Sequence, residues 1–173
     1  YQSLLNTRPD YMLPFGARYR LIDTTLSNFH EHGITKVLLH GGSKIRSTLD
    51  HVGNGAHWEM DKRENGLVIT TPSLEEIESN NRRMLSYYES LTFFDEEDIE
   101  DIYIANPMVI SRVDITSAYQ KFKEENYDAM FLYRVQEDFT GRYLNARKII
   151  FDSDGNVENI GINLGTENII PLF

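Results

Sequence analysis

Arg8, Arg18 and Arg20 bring guanidinium groups close together around the tight Pro14, Phe15, Gly16 turn, with Asp23 just beyond. Guanidinium forks bind phosphate oxygens in pairs, and a helix starting nearby adds its positive end, so the pattern is that of an anion site. The competing reading is pairing with surface carboxylates, the commoner fate of solvated charge, and spacing alone favours it. Gly41, Gly42 and Ser43 form a second glycine-bearing turn ahead of a helix. Neither GxGxxG nor GxxxxGK[ST] occurs, so this turn reads as a strand-to-helix connection and not a phosphate cradle. Asp95, Glu96, Glu97, Asp98, Glu100 and Asp101 make an acidic run whose side chains diverge, which suits a solvated loop better than a hard-cation site. His30 and His32 lie two apart on a helix, and His51 and His57 straddle a polar loop, so no zinc spacing arises. The turn Asn106, Pro107, Met108, Val109 contains no acid at all.

The elements that must hold these residues follow from periodicity. Ile22, Leu26 and Phe29 predict a helix over 21–33, with Asp23 or Thr24 as its cap and Gly33 as its stop. Residues 34–39 predict a buried strand, and Ile45, Leu49 and Val52 a second helix. A strand over 67–70 ends at Pro72, and a long helix is predicted over 74–94. Residues 102–105 predict a third strand, 114–125 a helix, and 129–135 a fourth strand. Residues 149–151 and 157–160 flank Ser153, Asp154, Gly155 and Asn156, a hairpin signal. Alternation of this kind predicts an α/β fold with a mostly parallel sheet and an antiparallel edge hairpin.

The chain has 173 residues, 40% apolar and 25% charged, which is enough to bury a core in one domain spanning 1–173. Its formal net charge of −10 argues against nucleic acid and anionic membrane as partners, since both require a basic footprint. No apolar run approaches the ~20 residues of a bilayer span and no secretion signal is visible, so a cytoplasmic location is the expectation. Without cysteine there is no thiolate catalysis and no sulfur-ligated zinc.

The string Arg8, Pro9, then Pro14, Phe15, Gly16, Arg18, Tyr19, Arg20, Leu21, Ile22, Asp23, and on to Leu26, Ser27 and Asn28 reads RPxxxxPFGxRYRLIDxxLSN. It resembles the bacterial glucose-1-phosphate adenylyltransferase (ADP-glucose pyrophosphorylase) family. The stretch from His51 to Trp58 matches as well. Glu59, Met60, Asp61, Lys62 and Arg63, with Gly66, Leu67, Val68, Ile69 and Pro72, look most like the GlgD-type subunit. The resemblance implies a Rossmann-like nucleotidyltransferase domain of the GT-A-like kind. It also implies a subunit cut at both ends here, whose full length continues into a left-handed β-helix. Active members join ATP and glucose 1-phosphate, with magnesium, into ADP-glucose for glycogen synthesis.

Against that pattern the sequence departs at several places. The family's triphosphate loop would precede Asn6, leaving only Ser3, Leu4 and Leu5. The magnesium-binding aspartate of active members falls where Met108 stands, and a thioether is a poor magnesium ligand. The adenine-contacting glutamine aligns near Gly42, and a GTA segment is missing around Asn81 and Met84. The pair that grips the sugar phosphate falls near Ile162 and Asn163. The resemblance therefore implies a regulatory, noncatalytic subunit that binds no metal or cofactor itself. Its implied partner is a catalytic subunit, assembled with it into a heterotetramer. Arg8, Arg18 and Arg20 are its candidates for binding a phosphorylated sugar or nucleotide effector. Two alternatives stand beside this: an active nucleotidyltransferase that holds magnesium through Asp95 or Asp98, and an unrelated α/β module whose arginines bind some other anion.

Overall fold

Two short strands, β1 (Pro14–Phe15) and β2 (Tyr19–Arg20), pair antiparallel and deliver the chain directly into helix α1, Leu21–Glu31. A computed structural model describes residues 5–42, 44–63, 66–71, 93–94, 99–135, 146–162 and 169–171. The chain divides into two compact units, Tyr1–Ile115 and Thr116–Phe173.

In the first unit, α1 buries Ile22, Leu26 and Phe29 at the spacing of one helical face. These meet Met12, Val37, Leu39, Val52, Trp58, Met60 and Ile115 in a single apolar cluster. The helix ends in a Schellman motif. Gly33 takes φ 71°, its N–H donates to His30 O at 3.0 Å, and Ile34 N–H reaches Phe29 O at 2.9 Å. At the other end the structure corrects the expected cap. Arg20 occupies the N-cap position, and Asp23, two residues into the helix, reaches back to accept the Arg20 N–H at 2.9 Å. Thr24 Oγ1 instead donates to Leu21 O at 2.8 Å.

Strand β3, Val37–His40, pairs in parallel with β4, Leu67–Thr70, in the register Val37↔Leu67 to His40↔Thr70. The crossover between them carries helix α2, Arg46–Val52, and the 3₁₀ turn Ala56–Trp58. Among the described residues this is the one parallel pair, and the remaining ladders are antiparallel. The expected third strand does not form. Residues 102–105 run without a ladder partner among the described residues, leaving Ile102 and Ile104 exposed while Ala105 packs against the core. An apolar run marks burial or an unpaired edge alike, and strand formation needs a neighbour that periodicity cannot supply. The long helix expected over 74–94 lies almost entirely outside the described residues.

Helix α3, Ile115–Glu124, begins where the first unit ends and matches the 114–125 expectation. In the second unit β5, Tyr133–Val135, pairs antiparallel with β8, Ile169–Pro171, so the strand expected over 129–135 is confined to its last residues. Strands β6, Arg147–Phe151, and β7, Val157–Ile162, form the expected hairpin, with an irregularity between Ile150 and Phe151. Ile149 is buried at its centre. The chain is an α/β protein with, among the described residues, one parallel strand pair and three antiparallel ones.

Candidate functional site

The β1–β2 hairpin presents two of the three arginines singled out by sequence. Its loop passes through Gly16 at φ 53° and Ala17 at φ 71°, conformations that tighten the turn and are costly for a residue with a Cβ. The register Phe15↔Tyr19 and Pro14↔Arg20 then sets Arg18 on the solvent side and Arg20 at the start of α1.

The arginines are differently engaged. Arg18 is exposed, and its guanidinium carbon stands 5.2 Å from the centre of the Tyr19 ring while Nη2 donates to Tyr19 Oη at 3.1 Å. Arg20 is half-buried, and its Nη1 donates to the Tyr19 carbonyl at 3.1 Å. Arg8 lies ahead of Pro9 and the 3₁₀ turn Asp10–Met12, half-buried, with no ion pair among the described residues. Among the described residues no carboxylate side chain pairs with any of the three. Arg18 and Arg20 stand on one hairpin, each with guanidinium donors beyond its Tyr19 bond that have no partner among the described residues.

Residues that were not singled out for this role support that hairpin from beneath. Asp23 is buried, and its carboxylate divides its two oxygens: Oδ2 takes the Arg20 N–H, and Oδ1 lies 2.7 Å from His51 Nε2 on α2. Tyr11, from the 3₁₀ turn, donates its hydroxyl to Gly41 O at 2.8 Å and meets Thr48 Oγ1 at 3.1 Å. Burial raises the Tyr11 hydroxyl above the ordinary tyrosine value, and the Thr48 contact partly offsets this. The sequence signal for Asp23 was its place in the RLID string. His51 stood in the matching stretch from His51 to Trp58, with nothing to pair it with Asp23, and nothing local marked Tyr11.

The Gly41–Gly42 turn is not an anion cradle at its first residue, because Gly41 N–H already donates to Thr70 O at 2.8 Å. Ser43 lies outside the described residues, as do Asp95, Glu96, Glu97, Asp98, Asn81, Met84 and Asn163. His40 faces Thr70 Oγ1 at 3.2 Å, and His32 lies 3.6 Å from Asp114, so the histidines are dispersed. Among the described residues no three acidic or histidine side chains converge as a metal-binding group.

Met108 sits in a turn closed on itself. Its N–H donates to Asn106 Oδ1 at 3.0 Å, and Val109 N–H donates to Asn106 O at 3.0 Å. The residue is 39% exposed. Magnesium takes hard oxygen ligands in a strict octahedron, and a turn offering a soft sulfur and an already occupied carboxamide does not fit that ion. No described helix is long and apolar enough to cross a membrane.

No protein-family model matches the chain. It is 31% identical over 127 residues to the glucose-1-phosphate adenylyltransferase of Clostridium novyi (strain NT), an alignment covering 72% of this chain and 32% of the relative. The glycogen biosynthesis protein GlgD of Geobacillus stearothermophilus is 28% identical over 130 residues, covering 73% of this chain and 38% of the relative. The glucose-1-phosphate adenylyltransferase of Clostridium botulinum (strain Eklund 17B / Type B) is 32% identical over 119 residues, 68% of this chain and 31% of the relative. The chain thus spans about a third of the length of these relatives. At this identity and coverage of its own length, the chain belongs to the family of glucose-1-phosphate adenylyltransferases and the glycogen biosynthesis protein GlgD.

Proposed function

We propose that this protein is a GlgD-type regulatory subunit, itself noncatalytic, that supports ADP-glucose synthesis from ATP and glucose 1-phosphate in glycogen biosynthesis. Met108 carries the reading: the turn at 106–109 supplies a thioether and a carboxamide already bonded to the Met108 N–H. An adenylyl transfer needs a cation to spread the charge of the transferring phosphate, and this turn offers no carboxylate to hold one. The domain is read as a nucleotidyltransferase-like, Rossmann-like fold of the GT-A kind, with the parallel β3–β4 pair as part of its sheet. Its partner is a catalytic glucose-1-phosphate adenylyltransferase subunit, with which it forms a heterotetramer in the cytoplasm. Arg8, Arg18 and Arg20 bind a phosphorylated effector. The exposed hairpin and the surplus donors on Arg18 and Arg20 favour this over burial in a structural ion pair.

The test is ADP-glucose formation by the protein alone, by a catalytic glucose-1-phosphate adenylyltransferase alone, and by the two mixed. Silence alone with changed activity in the mixture supports the regulatory reading. Magnesium-dependent turnover by the protein alone overturns it, and a mixture identical to the catalytic subunit alone removes the partnership.

A further inference from the structure

On the first unit an open cleft of about 280 Å³ lies between α1 and the segment 110–112. One wall is a stripe of α1 at helical spacing: Thr24, Ser27, Asn28 and Glu31. The other consists of Ile110, Ser111 and Arg112. Every polar side-chain type in this lining donates, accepts or does both, and the two charges present cancel. Arg112 Nη2 binds Glu31 Oε2 at 3.2 Å.

Asn28 is the largely buried member of this otherwise open lining. The residue is 7% exposed, yet its Oδ1 has no hydrogen-bond partner among the described residues. A buried carbonyl left without a donor costs about 1–3 kcal/mol, so the fold bears this penalty in the ligand-free state. The terminal torsion of an asparagine is broad and soft, which lets the amide turn towards the cleft it lines. Neighbouring groups are only partly used. Ser27 Oγ accepts the Trp58 Nε1–H at 3.1 Å, and its own hydrogen has no acceptor among the described residues. Thr24 Oγ1 spends its hydrogen on Leu21 O and keeps lone pairs to accept. The Glu31–Arg112 contact uses one carboxylate oxygen and one guanidinium nitrogen, leaving the others.

We propose that this cleft binds a neutral polyhydroxylated ligand, a sugar, with Asn28, Ser111 and the Glu31–Arg112 pair reading its hydroxyls. A hydroxyl both donates and accepts, so adjacent sugar hydroxyls match planar groups such as carboxamide, carboxylate and guanidinium two at a time. Ile110, 53% exposed, offers an apolar patch to the ring's C–H face. Self-neutralised charge disfavours an anion, which separates this site from the arginine hairpin. Its volume suits one sugar unit, either free or at the end of a longer saccharide.

Trp58 is the chain's one tryptophan, and its indole N–H is bonded to Ser27 in the cleft wall, so its resonance reports occupancy directly. In the nitrogen-15-labelled protein, D-glucose is expected to move the indole N–H peak saturably, with a dissociation constant on the order of 1–10 mM. Maltotriose binding more tightly than glucose identifies the end of a longer saccharide, and equal binding identifies a free sugar. Ser111→Ala, in a loop, is expected to weaken binding about fivefold with the rest of the spectrum unchanged. Asn28→Leu is expected to abolish it, and if that variant does not fold the Ser111→Ala titration decides. No saturable shift up to about 100 mM of either sugar overturns the proposal, as does inorganic phosphate moving the same peak.

Discussion

Asp23 and His51 join the first turn of α1 to the last turn of α2 through a 2.7 Å contact between Oδ1 and Nε2. The acid stands at a helix start, where its charge also complements the dipole of α1. The carboxylate simultaneously caps α1 by taking the Arg20 N–H. Asp23→Ala therefore removes a cap and strands a half-buried imidazole, at an expected cost of about 2–4 kcal/mol. His51→Ala leaves the cap in place and is expected to cost less, about 1–2 kcal/mol. Urea unfolding of both variants checks the order, and a cost below about 0.5 kcal/mol for Asp23→Ala would show that the pair is not structural.

The start of β4 depends on a missing side chain. A Cβ on Gly66 would collide with the backbone carbonyl oxygens of Met60 and Lys62, which cannot rotate away as a side chain does. Met60 O is already bound by Leu67 N–H at 2.7 Å, and Gly66 O accepts the Val37 N–H at 3.2 Å. Gly66→Ala is expected to destabilise the protein by about 2–4 kcal/mol and to weaken the first rung of the parallel pair. Thermal unfolding and amide exchange at Val37 provide the check. Unaltered Val37 protection would mean that the loop accommodates the methyl group.

Where the fold was legible in the sequence, a local rule was sufficient. Gly33 marks the end of α1 because only the residues beside it form the Schellman bonds, and Asp152 to Asn156 close the β6–β7 hairpin within their own loop. The strand at 67–70 was legible for the same reason, as a short branched run. Legibility failed where partners are distant. Tyr11 reaches Gly41 across 30 residues and His51 reaches Asp23 across 28, and neither spacing follows from periodicity. Residues 102–105 have a strand's composition without a ladder among the described residues. At the site, the types of Arg18 and Arg20 were readable, but their engagement with Tyr19 depends on a hairpin register set by two residues at positive φ.

Asp152 makes the hairpin turn sensitive to acid. Its Oδ1 accepts the N–H of Asn156 at 2.8 Å and of Asp154 at 3.0 Å, and Oδ2 faces Asn156 Nδ2 at 3.3 Å. Donation from the Asn156 backbone, foremost among these, holds the carboxyl below its ordinary value. A depressed acid contributes stability that is present above its unfolded pKa and lost as pH falls through the folded one. Amide protection at Asn156 is therefore expected to hold from neutrality to about pH 4 and to decline below it. Asp152→Asn is expected to remove that decline, and a decline persisting in the variant would assign it to another group.

Arg18 and Arg20 divide two readings of the hairpin. If they serve only the fold, removing either affects stability; if they serve a ligand, it affects binding. Arg18 is exposed, so its stacking on Tyr19 is screened by solvent and contributes little to stability. Arg18→Ala and Arg20→Ala, measured with inorganic phosphate as the probe, are each expected to weaken binding about tenfold. Binding that is equal in the variants and the parent would leave the effector role without support.

Tyr11 links burial to a second pH limit, at the alkaline end. Its hydroxyl donates to Gly41 O, and desolvation, partly offset by Thr48, raises its pKa above the ordinary tyrosine value. The neutral phenol is the form the fold holds, so the unfolded chain ionises first as pH rises past about 10. Stability from this group is complete below that unfolded value and is lost as pH climbs through the raised folded one. Tyr103, raised likewise by burial against solvent, adds in the same direction. Urea midpoints are therefore expected to fall between pH 8 and about pH 10.5 in the parent. Tyr11→Phe is expected to start about 1 kcal/mol lower at pH 8, having lost the bond to Gly41, and to fall less steeply above it. A parallel fall in both proteins would place the alkaline sensitivity elsewhere and leave Tyr11 with a hydrogen-bonding role alone.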